Sequence, residues 1–145
     1  IADIRASGAG TRLMSDGDVA GGINAARHNA RTDMCIGVGG SPEGIVTACA
    51  IKALGGHVQG RMWPRDDAER QRGIDAGLKM DYVYEADELV KGNNTIFVAT
   101  GVTDGQLVSG VRRAGDWLYT ESVVLRGASG TLRRISSEHL TSKWL

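Results

Sequence analysis

Apolar runs of four to twelve residues, broken by glycine-rich and acidic turns, set the elements this chain predicts. Ile1 to Gly8 reads as the last turns of a helix stopped by Gly8. Thr11-Arg12-Leu13-Met14 predicts a short strand, and Val19 to Asn29 predicts a helix with Asp18 as its N-cap. Met34 to Val38, bounded by polar and glycine residues, predicts a buried strand. Glu43 to Leu54 carries Ile45, Val46, Ala48, Cys49, Ala50, Ile51, Ala53 and Leu54, the pattern of a helix apolar almost all round and hence buried, stopped by Gly55-Gly56. From His57 to Trp63 the alternation has the two-residue period of a half-buried strand. Pro64, Asp66 and Asp67 then open a helix weakened by Gly73 and Gly77, with Asp66 facing Arg70 four positions on.

Ala86 to Lys91 adds a helical turn, and Thr95-Ile96-Phe97-Val98-Ala99 predicts a second buried strand. Trp117 to Leu125 and Thr131 to Ser137 form two strand-like runs joined by Arg126-Gly127-Ala128-Ser129-Gly130, a hairpin. The expected fold is α/β: a mixed sheet with covering helices and a C-terminal antiparallel hairpin. Right-handed crossovers make its early strands mostly parallel. Residues 1–145 form one domain, and the mid-helix start makes them a piece of a longer protein.

Composition narrows the function classes. The 17 basic residues balance 17 acidic ones, so neither a nucleic-acid footprint nor a solvating acidic tail is present. No apolar run approaches the ~18 residues of a membrane span. With 21 glycines, turns that bring backbone close to something are expected. Cys35, in an expected strand, and Cys49, in an apolar helix, read as small hydrophobes of a reducing, cytoplasmic protein.

Candidate chemistry gathers at two turns, Ser15-Asp16-Gly17-Asp18-Val19-Ala20 and Gly39-Gly40-Ser41-Pro42-Glu43-Gly44, each leading from a strand into a helix. Such turns face the crevice where open α/β sheets bind ligands. Carboxylates there suit a hard divalent cation or the hydroxyls of a sugar, and they equally suit helix capping and dipole complementation. Gly39 and Gly40 offer backbone N–H groups to an anion or simply allow a tight turn. His28, late in a helix, His57 and His139 lack ligand-spaced companions. Thr103 and Asp104 read as turn chemistry, Arg126, Arg133 and Arg134 as the wet face of a ribbon, and Trp63, Trp117 and Trp144 as too scattered for a stacking platform.

Those two turns, followed in order by Arg65-Asp66-Asp67-Ala68-Glu69-Arg70, Ala99-Thr100-Gly101-Val102-Thr103-Asp104-Gly105, Ser129-Gly130-Thr131 and Arg133, resemble class II fructose-1,6-bisphosphatase of the GlpX type, nearly end to end and over its C-terminal half. The resemblance implies the layered α/β fold of lithium-sensitive sugar phosphatases. It also implies hydrolysis of the 1-phosphate of fructose 1,6-bisphosphate in gluconeogenesis and glycerol metabolism, with Mn²⁺ or Mg²⁺. By the same resemblance Asp16, Gly17, Asp18 and Gly40 contact substrate and Glu43 binds metal. The catalytic residues belong to an N-terminal half that this chain lacks, so the chain alone is expected to be inactive. A cytoplasmic homo-oligomer, dimer or tetramer, is implied as well, without nucleic-acid or membrane partners. Two other readings stand beside it: a dinucleotide-binding α/β module, disfavoured by Pro42 and Glu43 where a pyrophosphate cradle wants glycine and no charge, and a structural or oligomerisation domain without a site.

Overall fold

The computed structural model describes residues 1–143; Trp144 and the last position of the expected 1–145 domain lie outside the described residues. Along the chain come α1 (Ala2–Ala6), α2 (Asp18–Ala25), α3 (Ser41–Ala53), β1 (Gln59–Arg61), α4 (Asp67–Asp75), β2 (Val83–Glu85), α5 (Ala86–Leu89), β3 (Ile96–Thr100), β4 (Arg112–Ala114), β5 (Trp117–Arg126) and β6 (Thr131–Leu140).

Local chemistry accounts for the helix bounds. Pro42 sits in the first turn of α3, where its missing N–H has no intrahelical partner to lose, and the helix gives way to Gly55 at φ +73. Asp66 caps α4 by accepting the Glu69 N–H at 2.7 Å. With that carboxylate engaged, Arg70 turns from the expected Asp66 to Asp81, 2.6 Å away. Helix α2 stops at Ala25, so His28 stands in the turn beyond it rather than in its last turn.

The larger sheet is built around β5. Along one side β6 pairs over its full length, from Trp117↔Leu140 to Arg126↔Thr131, and the expected hairpin closes through Gly127–Ser129 and Gly130. Along the other side lie β4, at Ala114↔Trp117, and β3, from Ile96↔Arg126 to Thr100↔Ser122. A small second sheet pairs β1 with β2. The described ladders are all antiparallel, against the expectation of early parallel strands. Parallel pairing needs two strands on the same sheet edge, and the two early segments that were to supply them join no ladder.

The core lies between α3 and the inner face of that sheet: Ile23, Ala50, Ala53, Phe97, Leu107, Val123 and Leu125, flanked by Val19, Ala20, Leu54, Ala99, Val108 and Leu132. Among the described residues only this face is covered. Phe97 is buried while Ile96 and Val98 beside it are 60% and 59% exposed, so β3 is half-buried rather than buried. Helix α3 likewise buries its second half, at Ala48, Ala50, Ile51 and Ala53, and leaves Ile45 and Val46 exposed. Glycine brings α2 onto it, since a Cβ at Gly22 would stand 2.6 Å from Thr47 Cγ2.

The largest departures from expectation are Thr11–Met14 and Met34–Val38, which form no strand. A strand exists only with a partner for its backbone groups, and none of the described residues supplies one. Their apolar side chains stay in the open, Leu13 at 66%, Met34 at 67%, Ile36 at 73% and Val38 at 72% exposed. Cys35 is therefore exposed rather than in a central strand, whereas Cys49 is half-buried in α3 as a small hydrophobe; both thiols are free. Among the described residues no helix is long and apolar enough to cross a membrane.

Candidate functional site

The first acidic turn folds around Gly17, which takes the left-handed conformation at φ +81 and becomes the N-cap of α2. Asp18 is thereby the first helical residue rather than the cap, and its side chain makes no capping bond. The second turn runs through Gly39 into Gly40, an extended N-cap of α3 that also lacks a side-chain capping bond, with Glu43 in the first helical turn.

These turns meet, because α2 packs on α3. A Cβ at Gly39 would stand 2.9 Å from Asp18 Oδ2, and a Cβ at Gly40 would collide with Glu43 Oε2. Both carboxylates thus lie against adjacent glycines of one turn, in space that a methyl group would fill. Asp16 occupies the bend just before Gly17, exposed, with no described contact to the second turn. Among the described residues the carboxylates of Asp16, Asp18 and Glu43 take part in no hydrogen bond or ion pair, so capping does not explain them. The glycines matter as absences of side chain, and Gly39 belongs with Gly40 on that count. Sequence spacing could not reveal it, since the Asp18 contact crosses 21 positions.

As a metal centre the arrangement is partial. The donors are carboxylate oxygens, the right type for Mg²⁺ or Mn²⁺, yet no three His, Cys, Asp or Glu side chains among the described residues are grouped to hold an ion. Glu43 fits one corner of such a site. The surface is also open, and two clefts among the described residues, about 240 and 310 Å³, lie elsewhere, around Glu121, Ser109 and Arg134 and around Tyr119, Arg112 and Glu138.

Other candidates settle into structural work. Asp104 Oδ1 accepts the Gly110 N–H at 2.9 Å, the turn role expected of it. His139 Nε2 and Thr120 Oγ1 are 3.0 Å apart, and His57 lies 3.6 Å from Glu85. Arg134 departs from the wet-face expectation: it donates to Leu107 O and pairs with Glu121 at 3.2 Å. Glu121 also accepts the Ser109 N–H at 2.6 Å, and this bond, with the Arg134 guanidinium beside it, holds its carboxyl below the usual range.

A family model described as bacterial fructose-1,6-bisphosphatase, glpX-encoded, matches residues 1–139. The chain belongs to that family. Among its relatives are "Fructose-1,6-bisphosphatase class 2" of Haemophilus influenzae, 38% identical over 96% of this chain and 46% of the relative, and "Fructose-1,6-bisphosphatase 1 class 2" of Escherichia coli, 36% identical over 96% and 45%. "D-fructose 1,6-bisphosphatase class 2/sedoheptulose 1,7-bisphosphatase" of a Synechococcus strain is 33% identical over 97% and 44%. The chain spans somewhat less than half the length of these relatives.

Proposed function

We propose that this chain supplies part of the substrate and metal surface of a phosphatase that releases the 1-phosphate of fructose 1,6-bisphosphate, giving fructose 6-phosphate and phosphate. The observation that carries the reading is the pair of unengaged carboxylates, Asp18 and Glu43, laid against Gly39 and Gly40 where α2 and α3 begin. The relatives' names supply the substrate. The layered fold of lithium-sensitive sugar phosphatases and a homo-oligomeric assembly belong to the same proposal.

In this reading Asp16 and Asp18 accept hydrogen bonds from sugar hydroxyls, and the backbone at Gly17 and Gly40 approaches the substrate where no side chain intervenes. Glu43 would hold a divalent cation through oxygen. When bound, such a cation supplies charge neutralisation at the phosphate and a more acidic water. Positioning is the contribution of this chain, which by itself is expected to release no phosphate.

The test joins this chain to the portion of the family polypeptide that it does not cover and measures Mn²⁺-dependent phosphate release. Glu43→Gln should cost roughly a hundred- to a thousandfold in turnover, the scale of losing one preorganised electrostatic group. Near-normal turnover with an unchanged Mn²⁺ dependence would remove Glu43 from the site. A variant whose loss is restored by raising Mn²⁺ would confirm it as a ligand.

A further inference from the structure

The motif Ala99-Thr100-Gly101-Val102-Thr103-Asp104-Gly105 takes no part in the substrate and metal surface proposed above. It leaves the end of β3 and opens a connection, residues 101–110, that is folded tightly on itself. A Cβ at Gly101 would collide with the Ser109 backbone, and one at Gly110 would stand 2.6 Å from the Thr103 carbonyl carbon and 2.7 Å from the Asp104 nitrogen. The Gly105 N–H donates to Val108 O at 3.1 Å, the Val111 N–H to Val102 O at 3.2 Å and the Gly110 N–H to Asp104 Oδ1 at 2.9 Å.

Two side chains of the sheet hold this connection. Glu121 of β5 accepts the Ser109 N–H at 2.6 Å. Arg134 of β6 donates to Leu107 O at 2.9 Å and pairs with Glu121 at 3.2 Å. On its other side the connection bears on α2. Leu107 is buried in the same core cluster as Ile23, and Gln106 Oε1 accepts from Asn24 Nδ2 at 3.2 Å. Ile23 and Asn24 lie in the last turn of α2, whereas Asp18 opens its first, about 12 Å away along a helix of eight residues.

That helix has few other supports. No helix or strand adjoins it between residues 8 and 17 or between 26 and 40, so α3 and the 101–110 connection fix where it lies. Its hydrogen-bonded backbone carries a displacement of one end to the other. The Asp18 carboxylate has no hydrogen bond or ion pair of its own to correct for such a shift.

We infer that residues 101–110, clamped by Glu121 and Arg134, set the placement of α2 and through it that of Asp18, so that Gln106, Glu121 and Arg134 are positioning residues for the site at the far end of the helix. Gly101 and Gly110 serve this by letting the connection close tightly enough to present Leu107 and Gln106 together. The inference rests on the substrate role proposed for Asp18 and extends that site into the sheet.

Steady-state kinetics of the joined polypeptide on fructose 1,6-bisphosphate tests it. Gln106 is exposed, so Gln106→Ala costs the fold little. It should raise KM about three- to tenfold, the scale of one neutral hydrogen bond, with kcat and the Mn²⁺ dependence within about twofold of the parent. Glu121→Ala should raise KM further; should it fail to fold, Gln106→Ala decides alone. In an Asp18→Asn background Gln106→Ala should have no additional effect, because it acts through that carboxylate. A KM raised by Asp18→Asn and unmoved by Gln106→Ala overturns the inference alone. So does a full multiplicative effect of Gln106→Ala in the Asp18→Asn background, which would make its role general stability. A KM unmoved by Asp18→Asn itself overturns the substrate role of Asp18, and this inference with it.

Discussion

Met34–Val38 and Val123–Leu125 carry the same apolar signal and meet opposite fates. Val123 and Leu125 are almost fully buried because β5 has β6 on one side, β3 on the other and α3 over its inner face. Ile36 and Val38 have α2 near at hand and no ladder, and they stay in water. Apolarity states only that a segment is meant to be covered. Whether it becomes a strand depends on where its hydrogen-bonding partner resides.

That contrast is broken most severely from the buried side. Leu125→Ala removes a core side chain held at 1% exposure and should cost about 2–5 kcal/mol in urea unfolding of the 145-residue chain. A cost below 1 kcal/mol would mean that the β5 face is no better packed than the 34–38 surface.

A smaller effect is expected on acidification, and it sharpens the contrast by reporting on the sheet alone. Glu121 is held below its ordinary range chiefly by the Ser109 N–H, with help from Arg134. The stabilisation is present above the unfolded carboxylate pKa and is lost as pH falls through the depressed folded value. The denaturation midpoint should therefore drop below about pH 4, and Glu121→Gln should make that drop shallower. An unchanged acid limb in the variant would contradict the assignment.

The smallest change belongs to the open region. Ile36→Asp in the isolated chain should shift stability by no more than about 0.5 kcal/mol, as for an exposed position away from any packing. A shift above 2 kcal/mol in the isolated chain would show that Ile36 already has a partner.

The C-terminal hairpin was legible because each strand pairs with a neighbour a few residues away, with alternation and a glycine-rich connection between. Thr95–Ala99 was legible as a strand, but not its exposed face, since a continuous apolar run does not tell which side will be covered. β2 and β4 were missed: Val83–Glu85 and Arg112–Ala114 are three residues long, and Arg112-Arg113-Ala114 has no apolar signal, so their pairing comes from their neighbours alone. At the site, Asp18 and Glu43 stood out as acids beside glycines in helix-starting turns. The approach of Asp18 to Gly39 did not, because it is made by α2 packing on α3.

Gly39 and Gly40 set the position of two carboxylates through atoms they omit. One methyl group at either position would meet only the tip of a flexible carboxylate, which can swing aside, so the fold would hardly notice while the charge moved. If the proposed function holds, a saturation library sorted for activity of the whole polypeptide would empty these two positions, whereas Gly10 and Gly44 have open space around them.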